Sequence, residues 1–217
     1  MLQAQLFTLY PEVFPGPLNK GLYGKAWAKN LWSLNVINIR DAAKDKHKTV
    51  DDTPYGGGPG MVMRPEPFIN SVIELKENDQ YTPYVIMTSP NGNNFDEKKV
   101  IELSKKESVY ILCGRYEGVD QRVNDLVVDE EVSVGNFIVS GGEVPAMIIS
   151  DSIIRKIPGI LGSSESNKNE TFSIDNDFSK KEPVYTKPRL FMGAEVPNVL
   201  LSGDHSKIDQ WKKDNRF

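Results

Sequence analysis

The chain has 217 residues, 39% hydrophobic and 26% charged, with a formal net charge of −4, proportions that suit one sizeable folded domain with a small appendage and exclude wholesale disorder. A single cysteine, Cys113, rules out an internal disulfide and suits a reducing compartment, while two distant histidines, His47 and His205, supply no zinc cluster. Apolar runs fall far short of the roughly 18 residues that cross a bilayer, and the first residues carry no leader pattern, so a cytoplasmic protein with no membrane partner is expected.

In chain order, residues 2–8 alternate as a strand, residues 18–31 have helical character, and residues 34–39 suggest a second strand. Seven Lys or Arg stand against two Asp between Lys20 and Lys48, whereas residues 117–131 hold six acids against Arg122. The modest total therefore conceals a basic and an acidic stretch, read either as partner surfaces or as two solvated faces. Pro65 opens a helix whose Phe68, Val72 and Leu75 share one face. Residues 83–88 and 108–113 are apolar strands flanking a helix over 95–105, which makes a βαβ unit. Residues 137–139 read as one further strand and 143–156 as a helix with Pro145 in its first turn. The fold class is therefore α/β, a mostly parallel sheet with helices on both faces. Residues 162–180 turn polar, as a linker or lid does, and residues 181–217 form a small helical unit too short for a core of its own.

Chemistry concentrates in glycine-bearing loops. The stretch DDTPYGGGPG over residues 51–60 matches neither the phosphate loop nor the dinucleotide pattern. Alone it reads more readily as a turn than as a ligand site. Three further loops, 88–92, 114–118 and 135–143, each follow a predicted strand. Loops at the carboxyl ends of parallel strands build the ligand crevice of an open α/β sheet. Together the three suit a nucleoside-type cofactor held by backbone hydrogen bonds, although each by itself could be a tight turn.

Six motifs carry a specific resemblance: DKHKTVDD (45–52), YGGGPGM (55–61), CGRYEG (113–118), DEEVSVG (129–135), SGGEVPA (140–146) and RKIPGILG (155–162). The chain resembles the bacterial tRNA (guanine-N1)-methyltransferases of the SPOUT class. That resemblance implies a deep trefoil knot, an exception to the rule that chains do not thread loops. It also implies a homodimer whose active sites are shared between subunits, with S-adenosylmethionine as methyl donor, tRNA as partner and Mg²⁺ as an assisting ion, though no metal cage is visible in the motifs. The domains it implies are a knotted cofactor domain (1–161), a lid (162–180) and a truncated tRNA-binding unit (181–217). The implied cofactor positions are Met87, Thr88, Ser89 and Pro90 in the first loop, and Gly114, Tyr116, Glu117 and Gly118 in the second. The third loop contributes Val134, Gly135, Phe137, Ile138, Ser140, Gly141, Gly142 and Pro145. The implied substrate-side positions are His47, Lys48, Asp51, Tyr55, Gly60, Arg115 and Glu117.

The reaction implied is methyl transfer to N1 of the guanosine immediately 3′ of the anticodon. That nitrogen bears a proton, so a positioned carboxylate is needed to remove it. Glu170 occupies the lid position where the family usually has Asp, one methylene shorter; without the resemblance it would read as a solvated surface acid. Arg155 matches the family's cation for the charge developing on O6, its alternative being a partner of a helix C-terminus. Glu117 either reads the guanine N–H edge or pairs with Arg115 or Arg122, and Tyr116 either stacks on the extruded base or, the favoured reading, fills the core. Lys46, His47, Lys48, Lys180, Lys181, Lys187 and Arg189 are candidate phosphate contacts. Asn136 stands where the family usually has Asp beside the cofactor loop. Two other readings stay open: a knotted methyltransferase acting on ribosomal RNA, and a non-catalytic RNA-binding module.

Overall fold

The computed structural model describes residues 1–161 and 170–217, so residues 162–169 of the expected lid, with the last glycine of the RKIPGILG motif, lie outside the described residues. The first unit, Met1–Gly162, runs β1 (Leu2–Thr8), α1 (Gly21–Ala28), β2 (Trp32–Asn38), β3 (Asp51–Asp52), β4 (Val62–Met63) and α2 (Pro65–Asn78). It continues with β5 (Tyr84–Asn94), α3 (Glu97–Leu103), β6 (Ser108–Cys113), α4 (Gln121–Val127), β7 (Glu130–Ser133) and α5 (Glu143–Arg155). Five strands form one sheet in the order β2-β1-β6-β5-β7, and every pairing in it is parallel.

Successive side chains of a strand point to opposite faces, so a strand covered on both sides must be apolar throughout. β6 follows that rule with all six residues buried. Val109, Ile111 and Cys113 face a core closed by α3 and α5 through Val100, Leu103, Ala146, Ile149 and Ile153. Tyr110 and Leu112 face the other core, closed by α2 and α4 through Phe68, Val72, Val123 and Val127. Two helical layers on one parallel sheet follow directly. The register then sets Thr88 beside Cys113 on one side and beside Val132 on the other, at the carboxyl edge of the sheet.

One expected strand is displaced. Residues 137–139 have strand-like composition, yet Phe137, Ile138 and Val139 are 57%, 80% and 39% exposed and belong to no strand. The edge position is taken by β7 instead, whose Glu130 and Glu131 conceal it from an apolar pattern. Each acid has a neutralising or hydrogen-bonding neighbour: Glu130 accepts from Tyr84 (3.1 Å), Asn93 (3.1 Å) and Lys99 (2.8 Å), and Glu131 accepts from the Asn124 amide. β5 also outruns its expected end at Thr88, bulging between Thr88 and Asn93 before pairing again with β7. α4 has no counterpart among the elements expected from the sequence; it is short, with Val123 and Val127 buried one turn apart and Asp120 accepting from the Arg122 N–H as N-cap.

The second unit, Ser163–Phe217, holds a short hairpin of β8 (Leu190–Phe191) and β9 (Ala194–Glu195), then α6 (His205–Asp214). Asp204 caps α6 by accepting from the Lys207 N–H at 3.2 Å. Ile208 and Trp211 of this helix are half-buried, and Trp211 meets Tyr185 edge-on at 6.2 Å.

Candidate active site

At the carboxyl ends of β5, β6 and β7 the chain leaves the sheet in three loops, and these enclose a cleft of about 480 Å³. Every cofactor position expected from the sequence lines it: Met87 to Pro90 from the first loop, Gly114 and Tyr116 to Gly118 from the second, Val134, Gly135, Phe137, Ile138, Ser140 to Gly142 and Pro145 from the third. Asn91, Arg115, Val119, Gln121, Asn124, Glu131, Val132, Ser133 and Val139 complete the wall. Most of the added residues come from β7 and α4, the elements that an apolar pattern could not reveal.

Close approach holds the loops together. The N–H of Gly142 donates to the Gly114 carbonyl at 2.8 Å, and a Cβ at Gly142 would sit 2.7 Å from Cys113 Cα and 2.8 Å from Gly114 N. Thr88 donates to the Leu112 carbonyl at 3.0 Å, which fixes its hydroxyl at the junction of β5 and β6. Beneath the loops lies a charged knot of side chains: Glu143, the first residue of α5 and 1% exposed, accepts from Thr8 Oγ1 at 2.7 Å and pairs with Arg115 Nε at 2.9 Å. Burial raises the Cys113 thiol well above its ordinary value, the Glu143 charge adds to that rise, and Arg115 opposes it. A thiol held so high is inert as a nucleophile at neutral pH.

Tyr116 is not a core residue, contrary to the favoured expectation. It is 49% exposed at φ +60°, on a turn in which Gly118 N–H donates to the Arg115 carbonyl at 3.1 Å. Burial, followed by the neighbouring Asp51 and Tyr10, raises its hydroxyl pKa, with Arg40 and Arg115 opposing. That proximity brings Asp51 to the rim. Gly60 arrives there too, since a Cβ on it would lie 2.5 Å from Glu117 Cγ, and Glu117 N–H donates to the Met61 carbonyl at 3.0 Å. Neither alternative ion pair of Glu117 forms, because Arg115 pairs with Glu143 and Arg122 with Asp120. His47 and Lys48 occupy an exposed turn organised by Asp45, and Tyr55 is fully exposed, so the cleft of this one chain does not gather them.

Arg155, one of the two residues expected to perform the chemistry, stands apart from the cleft wall. Arg155 ends α5, twelve residues from Glu143 and so about 18 Å along the helix. It neighbours Tyr23, whose pKa is raised by burial and by Asp151 while Arg155 opposes the rise. Glu170 belongs to the second unit, half-buried before a turn in which Ser173 N–H donates to its carbonyl at 3.1 Å. Among the described residues no group of three His, Cys, Asp or Glu is placed to hold a metal ion. No described helix is long and apolar enough to cross a membrane.

The family model described as tRNA (Guanine-1)-methyltransferase TrmD matches residues 2–217. This chain belongs to that family. Among its relatives, the tRNA (guanine-N(1)-)-methyltransferase of Pelagibacter ubique (strain HTCC1062) is 49% identical over 212 residues, spanning 98% of this chain and 90% of the relative. The enzyme of the same description from Carboxydothermus hydrogenoformans is 48% identical across 98% of this chain and 81% of its own length. A crystal structure of the tRNA (m1G37) methyltransferase from Aquifex aeolicus superposes with a TM-score of 0.79 at 39% identity, covering 97% of this chain and 87% of that one.

Proposed function

We propose that this chain transfers a methyl group from S-adenosylmethionine to N1 of the guanosine immediately 3′ of the anticodon in tRNA. The observation that carries the reading is the gathering of all the expected donor-site positions around one cleft at the ends of three adjacent parallel strands. The lining fits such a donor. Exposed Phe137 and Ile138 offer apolar faces to a base, the Gly141–Gly142 backbone leaves no room for side chains, and Glu117 and Glu131 favour a positively charged ligand. When bound, the sulfonium supplies an already activated methyl group.

The chain's own residues do the rest. Glu170 accepts the N1 proton and Arg155 stabilises the negative charge that grows on O6. Glu117, exposed beside Gly60 on the rim, accepts from the guanine edge, and leaving that acceptor unpaired once a base covers it disfavours adenine. Asp51, Gly60 and Tyr55 shape the base-entry side, while Lys46, His47, Lys48, Lys180, Lys181, Lys187 and Arg189 contact tRNA phosphates. Among the described residues no cluster of carboxylates or imidazoles is built to hold the Mg²⁺ that the resemblance implies.

A homodimer is part of the same proposal. Arg155 lies at the far end of α5 from the cleft formed by its own chain, so a second copy is needed to bring both to one base. Val144 and Ile148, one turn apart on α5, are 54% and 43% exposed, and Tyr10, Val13 and Leu22 are exposed nearby in the sequence of the first strand crossover. An apolar stripe of this kind suits an isologous contact. The trefoil knot, in the C-terminal part of the first unit, belongs to the reading as well. Cytoplasmic residence follows from the partner, tRNA.

Single-turnover methylation of a tRNA transcript tests the assignment of the base. Glu170→Gln is expected to slow the reaction by about 10²- to 10⁴-fold while cofactor affinity stays within a few-fold. An unchanged single-turnover rate removes Glu170 from the role.

A further inference from the structure

We infer that Arg115 does not contact tRNA but is a positioning residue, locked by Glu143 so that the second and third cleft loops hold the shape the methyl donor needs. The inference rests on the proposed function, since it assumes that the cleft receives S-adenosylmethionine.

Three surfaces of the Arg115 side chain are already engaged inside the chain. Its Nε lies 2.9 Å from Glu143 Oε2, its Nη1 donates to the Ser140 carbonyl at 3.2 Å, and its guanidinium carbon sits 4.5 Å from the centroid of the Tyr10 ring. Gly141 presses flat against it, for a Cβ there would overlap Nε and come within 2.5 Å of Cδ. Arg115 thus ties the second loop to the third and both to the end of β1. The Nε contact is electrostatic rather than a well-aligned hydrogen bond, and neither Nε nor Glu143 Oε2 has another hydrogen-bond partner among the described residues.

Glu143 is fixed in turn. Its carboxylate is 2% exposed, accepts a hydrogen bond from the Thr8 hydroxyl at 2.7 Å, and starts the helix that Gly142 enters. A buried carboxylate cannot release its partner cheaply, because losing one member strands the other charge away from water. A phosphate reaching Arg115 would have to compete with that ion pair, the Ser140 carbonyl and the Tyr10 face together. The charges of Arg115 and Glu143 also cancel at short range, which leaves little field to attract a polyanion.

Arginine and lysine separate the two roles. A lysine keeps the positive charge a phosphate needs but lacks the planar fork that reaches Glu143 and Ser140 at once. The test titrates S-adenosylmethionine calorimetrically and measures binding of an unmodified tRNA transcript across a range of salt, using the intact wild-type protein, Arg115→Lys, Arg115→Gln and Glu143→Gln. All three variants are expected to weaken cofactor affinity by about tenfold and to leave the slope of tRNA affinity against salt unchanged. Arg115→Lys keeps a counter-charge for Glu143, so the test survives if Arg115→Gln fails to fold.

Wild-type cofactor affinity in Arg115→Lys and Glu143→Gln overturns the inference, even if their unfolding midpoints fall, since that marks a merely structural pair. A salt slope flattened by about 0.7 to 0.9 in Arg115→Gln also overturns it, because a lost phosphate contact has that signature. A wild-type protein with no affinity for S-adenosylmethionine overturns the proposed function itself, and this inference with it.

Discussion

Gly142→Ala probes whether the cleft is held by packing between its loops. The backbone of Gly142, at φ −73° and ψ −9°, is one that any residue adopts, so alanine meets no torsional objection. The objection is space. Its Cβ would overlap Thr88 Oγ1, which must turn away, and would stand 2.7 Å from Cys113 Cα and 2.8 Å from Gly114 N, backbone atoms that cannot swing aside. Restoring ordinary contact requires a displacement of about 0.7 Å, which would stretch the 2.8 Å bond from Gly142 N–H to the Gly114 carbonyl to the limit of hydrogen bonding. Overpacking of this kind costs about 1–3 kcal/mol, and the weakened bond adds up to about 1.5 kcal/mol. Urea unfolding should register a loss of about 2–4 kcal/mol. Calorimetry should register cofactor binding weaker by tenfold or more, at about 1.4 kcal/mol for each factor of ten. An alanine variant with the wild-type midpoint and wild-type affinity would refute the reasoning, for it would mean that the 114–118 and 135–142 loops do not rest on one another.

Glu130 gives stability a pH dependence of definite sign. Burial works to raise its carboxyl pKa, but hydrogen bonds from Lys99, Asn93 and Tyr84 outweigh it and leave the group below the ordinary 4.5. A depressed carboxylate stabilises the fold above its unfolded pKa and loses that contribution as pH falls through the folded one. The advantage of the wild type over Glu130→Gln, about 1–2 kcal/mol at neutral pH, should shrink on acidification below that ordinary value; a difference in urea midpoint that does not change with pH would contradict it. Subunit sharing can be tested by complementation. Co-expressing Arg155→Ala with Gly142→Ala chains should produce mixed dimers in which one of two sites has both an intact cleft and an intact arginine. At cofactor concentrations that leave the alanine cleft mostly empty, random pairing then restores about a quarter of wild-type turnover, whereas only the weak background of the alanine cleft remains if each chain uses its own Arg155.

The legible parts of the fold were those whose burial is complete. β6 was visible to the residue because both faces of Ser108–Cys113 are covered, and α5 because an early proline marks its first turn. β7 escaped because an edge strand at a cleft can carry acids if neighbours satisfy them, and Lys99 and Asn124 sit on other elements. The strand wrongly expected at 137–139 is the converse. Phe137, Ile138 and Val139 have the composition of a strand because they line the cleft, and hydrophobicity spent on a ligand looks the same in one dimension as hydrophobicity spent on a core.

The site was legible as loops and not as a mechanism, for a reason lodged in α5. Its first turn seals the cleft through Gly142, Glu143 and Pro145, and its last carries Arg155 beside Tyr23 and Asp151. A rigid helix of 13 residues cannot bring both ends to one substrate atom. Sequence order therefore placed the expected donor-binding motif and the arginine proposed for catalysis on the same element, where proximity in the chain suggests proximity in space and the helix forbids it. The two ends can serve one base only if they belong to different copies. The apolar Val144 and Ile148 lie on the stretch of helix between those ends, where a contact between copies would set one cleft against the other arginine.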